Sequence, residues 1–195
     1  SEQSSSSASA TRFSEQDRLS LADLSACFCC DLTAEVGIQN KDRSSLVWPS
    51  CNSIVLKALS RTQKITPLIE RAVVNLFKLG FRLFHREEVR DDLLRALTLL
   101  LQLPAGLFRK LTEVIAMGLH QMIRVHAADI RTSLGWSAVL ALIETCAKYG
   151  DEDVLYTGLE SLRIALAQDI PLFEIEKPLF ALFLDAVHVY ATASN

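Results

Sequence analysis

The sequence predicts an all-α fold in which about eight antiparallel helices stack as a solenoid. Half of its 195 residues are hydrophobic and only 7% are aromatic, with 7 glycines and 5 prolines. A Leu-rich composition with so few helix-breaking residues favours α-structure. Apolar residues recur every three or four positions, and no stretch alternates in the manner of a strand. The length suits one sizeable core rather than two ordinary domains.

The chain divides into two parts. Residues 1–12 are rich in serine, lack the apolar core of a signal peptide, and are predicted to form a disordered tail. Residues 13–195 are predicted to form a single helical-repeat domain. No apolar run reaches the roughly 18 to 20 uncharged residues that a membrane span requires.

The first two helices are predicted from capping chemistry and apolar spacing. Ser14–Asp17 offers helix-capping side chains. The apolar residues that follow recur at helical spacing and are expected to face the core: Leu19, Leu21, Leu24 and Phe28. Gly37 closes this helix, and a second helix is expected to follow Pro49.

The third helix has the clearest pattern. Thr66-Pro67 is a start signal, because proline is tolerated in the first turn of a helix. From Leu68 to Phe84 the apolar residues form a broad stripe. The opposite face is predicted to be polar and exposed, and it carries Arg71, Asn75, Lys78 and Arg82.

Five more helices are predicted to begin at Glu87, Leu107, Ser133, Asp151 and Leu179. The connections between them are short, so successive helices are expected to form antiparallel pairs that stack into a HEAT- or armadillo-like superhelix. No crisp sequence repeat is present at a fixed period, and a compact helical bundle is the alternative.

The five cysteines are predicted to be reduced thiols rather than a disulfide or metal site. Cys27, Cys29 and Cys30 crowd into one helix, and a disulfide scaffold does not suit so Leu-rich a chain. A zinc site would need two further ligands at suitable spacing, which neither Cys51 nor any histidine supplies. We therefore expect no metal and no cofactor.

No constellation of side chains suggests catalysis. The four histidines are scattered, and none belongs to a His-x-x-x-His or Cys-His arrangement. Neighbouring carboxylates occur at Glu87-Glu88, Asp91-Asp92 and Asp151–Asp153, but adjacent helical residues point about 100° apart. Favourable electrostatics at helix starts explains these acids more simply. No residue is predicted to be catalytic.

The charges are distributed unevenly. The net charge of −3 argues against a general nucleic-acid binder. Basic residues are in excess between residues 57 and 90, and acidic residues are in excess beyond Gly150. A basic helix face near anionic lipid gains roughly 1 kcal/mol for each Lys or Arg close to the surface. A solvated face with local ion pairs is the alternative interpretation.

Several segments, in this order and spacing, resemble part of the large Arf guanine-nucleotide exchange factors of the Golgi/GNOM class. The resemblance extends from about residue 20 to 165. Its segments are Gln39–Arg43 with Trp48, Ile69–Leu79, Arg82–Phe84, Arg86–Val89, Leu93–Leu97, and His126–Ile130 followed by Gly135-Trp136.

The resemblance implies a regulatory function. In that family a separate helical domain performs the exchange reaction, and neither that domain nor the upstream Asn-Tyr/Phe-Asp-Cys box has a counterpart here. The chain instead resembles a homology region downstream of the catalytic domain, the second of these. It is then expected to be a non-catalytic regulatory domain that contributes to Golgi membrane recruitment and to control of exchange in vesicle trafficking.

The same resemblance implies a location and a set of partners. The expected location is the cytoplasm, in peripheral association with Golgi membranes. The expected partners are other domains of the same exchange factor, anionic Golgi lipids and, through the absent catalytic domain, the Arf GTPase. No nucleic-acid partner is expected.

The predicted contact residues for a membrane or partner are Arg71, Lys78, Arg82 and Arg86, because they are expected to share one helix face. The alternative function is a purely architectural protein–protein scaffold that packs on neighbouring domains. It predicts a contiguous apolar patch on the surface. Trp48 and Trp136 are predicted to be buried packing anchors rather than functional residues.

Overall fold

The structure, a computed structural model, describes residues 21–60, 66–168, 170, 173 and 176–193. Within these residues the α-helices are α1 (Leu21–Gln39), α2 (Ser44–Ser60), α3 (Thr66–Leu83), α4 (Glu87–Leu100), α5 (Ala105–His126), α6 (Ser133–Tyr149), α7 (Glu152–Ala167) and α8 (Lys177–Ala193). Single 3₁₀ turns, Lys41–Arg43 and Ala127–Asp129, lead into α2 and α6. The described residues contain no strand, and the predicted all-α class is confirmed.

The helices stack in two layers, as predicted for a solenoid. The odd layer contains α1, α3, α5 and α7, each in contact with the next, and the even layer contains α2, α4, α6 and α8 in the same manner. The buried side chains of both layers form one hydrophobic cluster. Since each helix pair packs mainly on its neighbours, the core runs along the stack.

Two predicted helix starts are confirmed by their capping side chains. Thr132 Oγ1 accepts a hydrogen bond from the backbone N–H of Gly135 at 3.2 Å. Asp151 Oδ1 accepts one from the N–H of Val154 at 3.1 Å. Each cap satisfies a backbone donor that the first helical turn leaves without a partner.

The prediction that the second helix follows Pro49 is wrong. α2 begins at Ser44, and Pro49 lies inside it. An interior proline removes one backbone hydrogen bond and costs about 3 kcal/mol. Contacts within the fold outweigh this cost, because Ser44 donates a hydrogen bond to Glu88 at 2.6 Å and the ring of Trp48 is buried.

The expected orientation of the first helix is also wrong. Its predicted core residues are exposed to solvent, with exposed fractions of 80% for Leu21, 51% for Leu24 and 65% for Phe28. The face that packs on α2 and α3 instead buries smaller residues, which are Cys30, Ala34 and Gly37. α1 has apolar residues on two sides, so the sequence pattern alone did not reveal which side faces the core.

The predicted burial of both tryptophans is confirmed. Trp48 and Trp136 are 4% and 0% exposed. Trp48 Nε1 donates to Asp92 Oδ2 at 2.9 Å, and Trp136 Nε1 donates to the carbonyl oxygen of Ile130 at 2.9 Å. Each indole therefore buries its ring without losing its hydrogen bond.

Some predictions fall on other parts of the chain. The serine-rich tail at residues 1–12, the cap at Ser14–Asp17, Leu19 and the connector proline Pro171 lie outside the described residues. Among the helices that are described, none has the length and apolar character needed to cross a membrane.

Candidate contact surface

Three of the four predicted contact residues lie along the exposed surface of α3. These are Arg71, Lys78 and Arg82. Arg86 does not share their helix face, because α3 ends at Leu83. Arg86 instead precedes α4 with an extended backbone (φ −83°, ψ 121°), so the prediction of one shared face is wrong for this residue.

Two of the four cations are already ion-paired. Arg71 Nη1 lies 3.5 Å from Asp31 Oδ2, and Arg86 Nη2 lies 3.2 Å from Asp42 Oδ1. Asn75, which was expected on the exposed face, is buried and donates from Nδ2 to Asp31 Oδ1 at 2.8 Å. These side chains connect α3 and the turn after it to the preceding helix pair.

Lys78 and Arg82 have no such partner. Among the described residues, no carboxylate oxygen lies within 4.0 Å of either cationic group. The Arg82 guanidinium carbon lies 5.6 Å from the centroid of the Phe81 ring, which is a cation–π distance. These two cations are therefore exposed, and no carboxylate of the described chain neutralises them.

Both cations line a groove on the outer surface of the odd layer. The groove has a volume of about 620 Å³ and lies across α1, α3 and α5. Its apolar lining consists of Ile38, Val74, Phe77, Phe81, Val114, Met117 and Gly118. Its polar lining consists of Glu35, Gln39, Lys78, Arg82 and Gln121.

Gly118 shapes the floor of this groove. A Cβ atom at this position would overlap the ring of Phe77. The absence of a side chain allows the ring to lie directly against α5. This close approach of α3 and α5 depends on long-range packing, and the sequence pattern did not predict it.

Most of the cysteines are buried in the core or lie against it. All five are free thiols, and Cys30, Cys51 and Cys146 are buried. Burial raises the pKa of Cys146 to about 12, so this thiol is neutral in the core at physiological pH. In the part of the chain that is described, no group of three or more His, Cys, Asp or Glu side chains is placed to hold a metal ion.

The paired carboxylates connect successive helix pairs. Glu88 accepts from Ser44, Asp92 accepts from Trp48, and Glu87 pairs with Arg131 at 3.4 Å. Each of these contacts joins residues that are 44 positions apart. The helical pattern of the sequence did not predict this network, although complementary polar residues at a constant spacing of 44 are a signal of it.

His126 belongs to the same kind of contact. Its Nδ1 lies 3.0 Å from Asp129 Oδ2, and its Nε2 lies 3.0 Å from the carbonyl oxygen of Phe81. The side chain is 9% exposed. His126 thus connects the C-terminal end of α5 to α3.

The comparisons with known proteins identify relatives in one group. The chain is 28% identical over 170 residues to the ARF guanine-nucleotide exchange factor GNL1 of Arabidopsis thaliana, a match that covers 87% of this chain and 11% of that protein. It is 25% identical over 167 residues to GNOM of the same plant, covering 85% of this chain and 11% of GNOM.

An animal relative matches a shorter region more closely. The Golgi-specific brefeldin A-resistance guanine nucleotide exchange factor 1 homolog of Caenorhabditis elegans is 38% identical over 120 residues, which is 60% of this chain and 6% of that protein. No protein-family profile and no solved structure matches the chain. The chain thus spans about a tenth or less of the length of these relatives. It is a segment from the family of large Arf guanine-nucleotide exchange factors.

Proposed function

We propose that this chain is a non-catalytic regulatory segment of its exchange factor, corresponding to the second homology region downstream of the catalytic domain. In this role it contributes to recruitment to Golgi membranes and to control of exchange on the Arf GTPase. The C. elegans relative is named as a Golgi-specific exchange factor, which supports the location. Other domains of the same exchange factor are its nearest partners.

The observation that carries the proposal is the pair of exposed cations on α3. Lys78 and Arg82 lie at positions i and i+4, so they project from the same side of the helix. Neither is neutralised within 4.0 Å by a carboxylate of the described residues. An exposed cation next to an anionic surface or partner contributes roughly 1 kcal/mol. Arg71 and Arg86 contribute less, since each already has an acidic partner.

The test is sedimentation of the chain with isolated Golgi membranes. We expect the double variant Lys78→Glu/Arg82→Glu to lower the bound fraction roughly ten-fold or more, because two attractive charges become repulsive. The matched control is Lys57→Glu/Lys110→Glu, which makes the same change of charge at exposed positions on α2 and α5. Equal loss in both variants, or no binding of the parent chain, would contradict the proposal.

A second candidate function is the architectural scaffold, and the surface of α1 favours it. Leu21, Leu24, Phe28 and Leu32 recur along one side of this helix and are each at least half exposed. Contiguous apolar surfaces of this kind mark sites where other protein segments pack. The acidic residues of α1, which has no Lys or Arg, make this surface unsuited to anionic lipid.

Size-exclusion chromatography of the chain with the neighbouring domains of the exchange factor tests the scaffold. Leu24→Glu/Phe28→Glu should abolish co-elution while leaving the melting temperature nearly unchanged, because both side chains are exposed. Leu46→Glu, at a position on α2 that is 78% exposed, is the control. Co-elution that survives in the double variant would exclude this surface as the contact.

A further inference from the structure

The groove across α1, α3 and α5 is apolar on its floor and polar along its edges. Phe81 and Met117 are 41% and 54% exposed, although most apolar residues of their two helices are buried or half-buried. Covering such side chains removes apolar surface from water, which favours binding. The groove therefore offers binding energy that the described residues of the chain do not use.

The charged residues along the edge of the groove indicate the charge of the partner that it would bind. Among the described residues that line the groove, Lys78 and Arg82 are the exposed cations and Glu35 is the one carboxylate. The Glu35 carboxylate is already engaged, because Gln39 Nε2 donates to its Oε1 at 2.7 Å. Acidic groups of a bound partner that lie beside the apolar floor would thus be attracted by Lys78 and Arg82 and repelled only weakly by Glu35.

The shape of the groove favours a protein helix over a lipid surface. The apolar floor is recessed between three helices, so a flat membrane does not reach Phe77 or Val114 without deforming. A polar rim that includes glutamines around an apolar centre is the usual anatomy of a protein interface. An amphipathic helix laid in a groove contacts such a floor with residues at i, i+3, i+4 and i+7.

From these contacts we infer that the groove binds an amphipathic α-helix whose apolar stripe covers Phe81 and Met117 and whose acidic flank pairs with Lys78 and Arg82. The inference rests on the proposed function, since the same two cations serve it, and it names the class of partner at that site. The partner is thus an acidic, amphipathic helical segment of a protein.

Methyl NMR of methionine gives a direct test, because the described part of the chain carries both methionines of the sequence. Met117 lines the groove, whereas Met122 on the same helix is 4% exposed in the core. The probe is a capped synthetic helix of about 18 residues with leucines every three to four positions and glutamates on both flanks. We expect the Met117 methyl signal to shift on titration and the Met122 signal to stay in place.

Substitutions in the peptide and in the chain test which interactions the binding depends on. A peptide with lysine in place of every glutamate should bind roughly ten-fold or more weakly, and so should the glutamate peptide with the Lys78→Glu/Arg82→Glu chain. Met117→Glu should abolish peptide binding, since it places a carboxylate on the apolar floor. Because this variant lacks the Met117 methyl signal, its binding is measured by fluorescence anisotropy of the labelled peptide. Val125→Glu is its matched control, because Val125 is 50% exposed on the same helix and lies outside the groove.

The remaining outcomes separate this inference from the proposed function. Protein-free anionic vesicles that shift the Met117 signal, with no effect of the peptide, would overturn the inference in favour of lipid. Binding to Golgi membranes without any peptide effect would also overturn it while the proposed function stands. Peptide binding without any Golgi association would support the inference and remove the proposed function.

Discussion

Trp48 and Trp136 combine a fully packed ring with one hydrogen bond from the indole nitrogen. Their bonds go to different kinds of acceptor, the Asp92 carboxylate for Trp48 and the backbone carbonyl of Ile130 for Trp136. The Trp136 ring also contacts Phe173, with ring centroids 5.1 Å apart. Both residues lie near helix starts, where a single large side chain contacts several elements at once.

Replacement of Trp136 by alanine should lower the free energy of unfolding by about 3 to 5 kcal/mol. The change removes a ring that is 0% exposed and leaves the Ile130 carbonyl without its donor. Urea denaturation followed by circular dichroism measures the loss. Leu134→Ala, at a site 70% exposed, should remain within about 0.5 kcal/mol of the parent. A Trp136 variant as stable as the parent would refute the role assigned to the ring.

Ser44 and Glu88 form a pair whose effect appears in a titration. The hydrogen bond from Ser44 Oγ is the main reason that the pKa of Glu88 lies below its ordinary value, and a backbone hydrogen bond at Glu88 adds to it. Ser44→Ala should therefore raise the pKa of Glu88 toward that ordinary value, as measured by NMR titration of the side-chain carboxyl.

The lowered pKa of Glu88 determines how the stability of the fold depends on pH. A carboxyl group whose pKa is lowered in the folded state stabilises the fold above its unfolded pKa, about 4.3 for glutamate, and this contribution is lost as the pH falls through the folded value. The free energy of unfolding of the parent should exceed that of Ser44→Ala near neutral pH, and part of this difference should be lost as the pH falls below about 4.3. A Glu88 pKa that is equal in both proteins would show that the hydrogen bond does not form.

At the scale of elements, glycine decides how closely α3 and α5 approach. Gly118 and Gly80 both lie within helices, but only Gly118 faces a side chain that a Cβ atom would meet. Intrinsic propensity favours alanine over glycine by about 1 kcal/mol in a helix interior. The same substitution should therefore lower the stability at Gly118 but not at Gly80.

We expect Gly118→Ala to destabilise the protein by about 1 to 3 kcal/mol, because the ring of Phe77 must move. Gly80→Ala, with no atom within 4 Å of the added carbon, should be neutral or stabilising by up to about 1 kcal/mol. Thermal unfolding of both variants compares them directly. Stabilisation by Gly118→Ala would mean that the two helices do not pack as described.

At the scale of the whole molecule, the polar contacts reveal a structural repeat. Side-chain hydrogen bonds recur between residues 44 or 45 positions apart, from the Trp48–Asp92 contact to the bond between Gln168 and the Ile123 carbonyl. This spacing lies within the 40 to 47 residues of HEAT and armadillo repeats. Assignment to either repeat class stays a prediction.

The proposed absence of catalysis can be tested on the intact chain. If the chain is the non-catalytic segment proposed above, it should leave the rate of nucleotide release from Arf unchanged. Release of a fluorescent GDP analogue measures this rate, and the catalytic domain of a relative is the positive control. Acceleration by the chain alone would contradict a purely regulatory function.

The sequence by itself determined the helical class, the approximate number of helices and most of their starts. Those features are local, because helix propensity, caps such as Thr132 and Asp151, and apolar spacing act within a few residues. The order of short motifs also identified the family of exchange factors, without any structural information. Burial of the tryptophans followed from residue type.

Only the tertiary structure decided which face of α1 is buried, where α2 begins, and which cations are free. Each of these depends on contacts between residues about 44 positions apart, such as the bond from Ser44 to Glu88 and the ion pair of Arg86 with Asp42. The pattern of residues along one helix does not show which residues of the next helix pair will contact it. The stacking supplies an acid to Arg71, whereas no carboxylate of the described residues lies within 4.0 Å of the cationic groups of Lys78 and Arg82.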